Sequence, residues 1–158
     1  RPTSYYYESP KLGSSGCTVK SCSEAILNIG NPAIWWAFIP AIIVALLVLL
    51  LKRDWRFGAL LVVFGAGYFP WFMYPTRTMF YFYALSFEPF LILLLAGVLG
   101  LALSGARGSV LRARLGVTLV AIYLVGVLML SAYFMPLWTA QVIPYEQWYS
   151  HMWFKSWI

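Results

Sequence analysis

Charge is what this chain has least of. Only 10% of its 158 residues are charged, five of them acidic, and there is one histidine. The sequence shows no catalytic pair of carboxylates, Ser-His-Asp set, metal-ligand cluster or phosphate-binding glycine loop, so no complete catalytic constellation is expected. Cysteine is nearly missing too. Cys17 and Cys22 are the only two, and a C-x4-C pair without histidine nearby is a poor zinc site; no metal site is expected. Strict GxxxG spacing, internal repeats and low-complexity tracts are also lacking. The chain begins Arg1-Pro2 rather than with methionine, and has none of the three regions of a signal peptide. It reads as processed or as a fragment of a longer protein.

Apolar residues fill the space that charge leaves. The chain is 62% hydrophobic with a mean hydropathy of +0.78. A soluble domain of this size could not hide so much apolar surface in one core. The net charge of +6 does not indicate nucleic acid, because the basic residues are scattered and no solvated domain is available to carry them. The expected class is an all-α membrane protein.

Four apolar runs, at about 33–51, 57–75, 79–103 and 115–138, are each long enough, or nearly so, to span roughly 30 Å of hydrocarbon. They predict a transmembrane region over 33–138, preceded by an outer loop segment at 1–32 and followed by an outer interfacial tail at 139–158. Lys52, Arg53 and Arg56 crowd the first short loop, and Arg107, Arg112 and Arg114 the third. The positive-inside rule places both loops in the cytoplasm. Both termini and the turn carrying Arg77 then lie on the outer face of a cell membrane. In the tail, Trp148, Met152 and Trp153 have the spacing of a short amphipathic helix lying in the interface.

Tryptophan and tyrosine crowd the predicted outer ends, as interfacial belts do. They also suit a cavity lined with aromatics and open to the outer leaflet, with Trp35, Trp36 and Tyr81 on its wall. Asn31 and Pro32 read as an N-cap and first-turn proline of the first helix. Arg77 could be a snorkelling interfacial arginine or a clamp for phosphate, which guanidinium binds as a fork. Eleven positions on, Glu88 falls on nearly the same helix face, roughly 16 Å along the axis. It reads as a carboxylate well inside the membrane, beside a kink at Pro89. It lines the cavity or bonds a neighbouring helix. His151 reads as an interfacial surface residue, and Cys17 and Cys22 as a structural disulfide in an oxidising compartment.

Four stretches carry a resemblance: Arg1 to Tyr7, Gly30 to Trp36, Arg77 to Tyr83 running on to Glu88-Pro89-Phe90, and Gln147-Trp148 to Ser156-Trp157-Ile158. Taken in order, they resemble the C-terminal four-helix membrane region of protein O-mannosyltransferases, and the cysteine-bearing lead segment looks like that of actinobacterial-type members. Eukaryotic members tend to have His-Tyr where this chain reads Tyr83-Ala84, so no role of that histidine is carried over. The resemblance implies part of a larger GT-C-type fold that moves mannose, with inversion, from polyprenyl-phosphate-mannose to Ser or Thr of exported proteins. It also implies a catalytic Asp-Glu pair upstream and a lipid-linked donor that is substrate rather than cofactor; no cofactor is expected, the sequence does not give a metal requirement, and Arg77 at the outer mouth is the residue assigned to the donor phosphate. The N-terminal part of the same enzyme and the acceptor protein would be the partners. Two other classes fit the residues alone: a transporter or channel subunit using Arg77 and Glu88 along a polar path, or a purely structural membrane subunit.

Overall fold

The computed structural model describes residues 4–13, 16–74, 76, 81–104 and 109–157. It divides into two compact units, one of Ala33–Val125 and one of Arg1–Pro32 with Gly126–Ile158.

The first unit is helical. Helix α1 spans Pro32–Lys52 and α2 spans Trp55–Tyr68, the latter running on into a 3₁₀ turn at Phe69–Met73. Only Arg53 and Asp54 join α1 to α2. Arg53 takes a left-handed φ of 52° to reverse the chain, and the Asp54 carboxylate caps α2 by accepting from Arg56 N at 3.0 Å. A second 3₁₀ turn, Tyr81–Ser86, precedes α3 (Glu88–Ser104). Helix α4, Val110–Trp138, gives its first part to this unit and its last turns to the other. The Ser109 hydroxyl caps it, accepting from Arg112 N at 3.2 Å.

Phe38, Ala41, Ala45 and Val48 of α1 meet Phe57 of α2 and Phe87, Leu91, Leu94 and Leu95 around α3 to form the buried core. Contact is closest where glycine replaces a side chain. A Cβ at Gly116 of α4 would collide with the Ala102 carbonyl oxygen of α3, and one at Gly97 would stand 3.2 Å from the Phe57 ring. Most other large apolar side chains of these helices are exposed, as expected where lipid is the solvent. Three stretches, Pro32–Lys52, Trp55–Met73 and Val110–Trp138, are long and apolar enough to cross a membrane; α3, with 17 residues, is shorter.

The third expected run changes character in the structure. From Tyr81 on, the run does not form one helix kinked at Pro89; α3 begins at Glu88, with Pro89 in its first turn. There the missing N–H costs nothing, since first-turn amides have no helical partner. Apolar composition marks what faces lipid and gives no sign of where a helix starts.

The second unit also departs from expectation. Residues 1–32 are more than a loop: β1 (Ser4–Glu8) and β2 (Cys22–Leu27) pair antiparallel, and β3 (Ile143–Pro144) adds to β2, in the order β1-β2-β3. Positive φ angles at Gly13 and Gly16 turn the chain between β1 and β2, and a disulfide joins Cys17 to Cys22. A bulge opposite Leu27 shifts the register between Ser4 and Tyr6.

Nor does the tail lie free as an amphipathic helix. Helix α5 is six residues, Tyr145–Ser150. Trp148 and Met152 are buried with Ala25, Leu27 and Ile29 of the β2 segment and with Phe134 and Leu137 of α4. The apolar spacing of the tail was legible, but its cover comes partly from the end of α4 and partly from the β2 segment, more than a hundred positions away.

Candidate functional site

Aromatic rings gather where α2 and α3 meet. On α2, Phe64 and Tyr68 are one turn apart and stack at 5.3 Å; both meet Phe87 edge-on, at 5.8 and 5.6 Å. A Cβ on Gly67 would stand 3.0 Å from Phe87 Cβ, so the absence of a side chain at Gly67 lets the two segments close. Beyond them Tyr68 meets Phe72 at 5.4 Å, and Trp71 meets Tyr83 at 4.6 Å. The cluster thus runs from the last turns of α2 through both 3₁₀ turns. Ring spacing of i, i+4 beside a glycine was the available sequence signal for this cluster.

The same contact fixes the level of Glu88. Gly67 lies roughly 18 Å along α2 from Trp55, and Phe87, its neighbour across the gap, immediately precedes Glu88. The carboxylate therefore stands at the first turn of α3, near the ring-lined end of the helix pair, and is only partly buried. From Tyr81 to Ser86 the chain forms a 3₁₀ turn rather than the regular helix expected ahead of Glu88. Arg77 and the Tyr81 side chain lie outside the described residues.

Trp35 and Trp36 face different surroundings, as consecutive helical residues must. Trp35 packs on the helical core and meets Phe38 edge-on at 5.4 Å, whereas Trp36 is half exposed. The Tyr123 hydroxyl of α4 donates to the Ala33 carbonyl at 3.2 Å, tying α4 to the first turn of α1. Among the described residues, no group of three His, Cys, Asp or Glu could hold a metal ion.

In the sheet-containing unit, His151 corrects the expectation of a surface residue: it is 1% exposed. Its Nδ1 lies 2.6 Å from the Gln147 carbonyl oxygen and its Nε2 2.8 Å from that of Tyr133. Asn31 does more than begin a helix. Its amide donates to the Val127 carbonyl at 2.9 Å and the Ser131 hydroxyl at 2.8 Å, and the Trp138 indole donates to the Ile29 carbonyl at 2.6 Å. Sequence spacing held no signal for these long-range bonds.

Composition, apolar helices and ring-lined helix ends together define a helical membrane protein. No family model and no solved structure matches the chain. Sequence relatives do match part of their own length to it. A protein of Mycolicibacterium smegmatis (strain ATCC 700084 / mc(2)155), named polyprenol-phosphate-mannose–protein mannosyltransferase, is 35% identical over 157 residues, covering 99% of this chain and 30% of its own length. Proteins of the same name from Mycobacterium tuberculosis (strain CDC 1551 / Oshkosh) and Corynebacterium glutamicum are 33% and 35% identical over 99% and 87% of the chain, covering 30% and 26% of their own lengths. The chain is thus a homologue, along nearly its whole length, of part of the polyprenol-phosphate-mannose–protein mannosyltransferases. It spans less than a third of the length of these relatives.

Proposed function

We propose that this chain is the membrane region of an enzyme that moves mannose from polyprenyl-phosphate-mannose to Ser or Thr of exported proteins. The observation that carries the reading is the 33–35% identity to the named mannosyltransferases over 99% of the chain. In this reading the helices are scaffold and form part of the donor-lipid cavity, and the acid–base pair that activates the acceptor lies in another part of the enzyme.

Transfer of a glycosyl group from a phosphate needs a base for the acceptor hydroxyl and stabilisation of the charge left on the departing phosphate. Arg77 is the residue we assign to the second task, through two parallel N–H···O bonds. Trp35, Trp36, Tyr81 and Glu88 line the same cavity; the level of Glu88, at the start of α3 beside the ring cluster, suits that role better than mid-membrane would. The ring-lined ends of α2 and α3 face outward, and the Lys52–Arg56 loop and the basic start of α4 face the cytoplasm, in keeping with the positive-inside rule. On this topology there are four crossings, α3 making one of them.

The test uses the full-length enzyme in membranes, with labelled polyprenyl-phosphate-mannose and a Ser/Thr peptide. Wild type should transfer mannose, and Arg77→Ala at equal expression should raise the donor KM by roughly tenfold or more, the loss of a charged hydrogen-bonding pair. No transfer by the wild type sinks the reading; wild-type kinetics in both Arg77→Ala and Arg77→Lys sink the phosphate clamp.

A further inference from the structure

Four aromatic side chains form a connected ridge on the sheet-containing unit. The Trp148 ring is 5.5 Å from Tyr7 of β1 and 5.6 Å from Tyr145, and Tyr145 is 6.3 Å from Tyr149. Both contacts of Tyr145 are stacked, with interplanar angles of 29°. Trp148 is buried at the root of the ridge, 8% exposed, while Tyr7, Tyr145 and Tyr149 stand 45%, 43% and 52% exposed. The ridge is anchored: Tyr145 N donates to the Ser21 carbonyl at 3.1 Å, and the Tyr7 hydroxyl shares hydrogen bonds with Ser23 and Ser9, each at 3.3 Å.

A connected aromatic surface held by hydrogen bonds at Tyr7 and Tyr145 has the character of a ligand-binding patch, and its surroundings choose the occupant. The strands and α5 that build the ridge carry Glu8, Glu24 and Glu146, three of the chain's five acidic residues, and no Lys or Arg. An anionic membrane surface selects for basic residues, so this composition argues against an anionic lipid surface. A neutral polyhydroxyl ligand suits it. The C–H face of a pyranose packs flat on a phenol or indole ring, and hydroxyls and carboxylates at the rim accept or donate to sugar hydroxyls. One further group waits for a partner. Among the described residues the buried Trp148 Nε1 has no hydrogen-bond acceptor, and buried donors are seldom left so. A sugar hydroxyl entering as Tyr7 or Tyr145 gives way would satisfy it.

We propose that the Tyr7–Trp148–Tyr145–Tyr149 ridge is a hexose-binding platform that holds a mannosyl group already attached to the acceptor polypeptide. The identity of the hexose rests on the function proposed above; the platform itself rests on the ridge. Holding a modified residue there would bring neighbouring hydroxyls of the same polypeptide back to the enzyme.

The experiment compares the full-length enzyme with its Tyr145→Ala/Tyr149→Ala double variant. Acceptors are a Ser/Thr peptide and the same peptide bearing one α-mannosyl threonine. The double variant should raise KM for the mannosylated peptide by roughly threefold to tenfold, with kcat and the plain-peptide KM unchanged. Equal changes for both peptides, no change for either, or a defect seen only in anionic vesicles overturn the platform. Tyr149→Ala alone repeats the comparison should the double variant fold poorly, and Tyr145→Phe/Tyr149→Phe should keep the preference, since the ring faces remain. Saturation-transfer NMR with methyl α-D-mannoside reads the platform without turnover. A signal lost in the double variant supports it even if the wild type transfers nothing, and an unchanged signal overturns it.

Discussion

Tyr133 and His151 are held together twice: their rings stack at 4.2 Å with an interplanar angle of 24°, and His151 Nε2 lies 2.8 Å from the Tyr133 carbonyl oxygen. The Tyr133 hydroxyl donates in turn to the Ser150 carbonyl at 2.9 Å. The pair therefore fastens the C-terminal tail to the last turns of α4.

Replacing His151 with Phe keeps the ring stack and removes both carbonyl contacts. We expect about 1–3 kcal/mol of destabilisation, read as a lower Tm of the full-length protein in detergent. An unchanged Tm would mean that the two contacts contribute nothing beyond the stack.

Asn31 offers a sharper substitution. Asn31→Asp puts a carboxylate oxygen where the amide donated to the Val127 carbonyl and the Ser131 hydroxyl, leaving two acceptors facing each other. It should cost more stability than Asn31→Ala, by roughly 1–2 kcal/mol. Thermal unfolding of the two variants side by side checks the order, and a more stable Asp variant would show that the amide does not act as the donor.

Gly116 and Gly100 form a matched pair. A methyl at Gly116 meets the Ala102 carbonyl oxygen, whereas one at Gly100 meets nothing within 4 Å. Gly116→Ala should cost about 1–3 kcal/mol through overpacking, and Gly100→Ala should be neutral or slightly stabilising. Similar expression and melting of both variants would contradict the close crossing.

Tyr6 supplies a prediction in pH. Its hydroxyl titrates above the usual tyrosine value, first because of partial burial, then through a hydrogen bond to Glu8 and the charges of Glu24 and Glu8. A raised value means that the folded state favours the neutral phenol. Any stability this gives is full below the ordinary tyrosine value and is lost as pH rises through the raised one. NMR titration of ring-labelled tyrosine should show the Tyr6 resonance moving late, and Glu8→Gln/Glu24→Gln should bring it earlier. If the double variant titrates as wild type, the carboxylates do not act on Tyr6.

How much of this was readable beforehand depends on where each signal lives. The helical membrane class followed from composition, and the ends of α1 fall within a residue of its apolar run because a proline and a lysine bound it. The start of α3 at Glu88 was missed, since an apolar run shows no seam between a 3₁₀ turn and an α-helix. The pairing of Ser4–Glu8 with Cys22–Leu27 was invisible because each strand is short and Tyr5, Tyr6 and Tyr7 lack any alternation of apolar and polar residues. His151 was misjudged for a related reason. A polar residue among aromatics suggests an interface until Tyr133, eighteen positions earlier, is known to lie over it. Of the ring cluster at Gly67 and Phe87, only the i, i+4 rings of α2 beside a glycine left a local signal; Phe87 lies twenty positions beyond Gly67, and no local rule reaches that far.

The crossing at Gly116 has one more consequence. Where main chain meets main chain, the spacing of two helices no longer depends on which side chains surround the contact. Positions along the lipid-facing sides of α3 and α4 can then drift among apolar residues, as bilayers of different thickness or composition demand, while the crossing keeps its place. The pair behaves like a fixed pivot in a wall of interchangeable bricks: most substitutions there leave little trace, and one added methyl group at the pivot is felt along both helices.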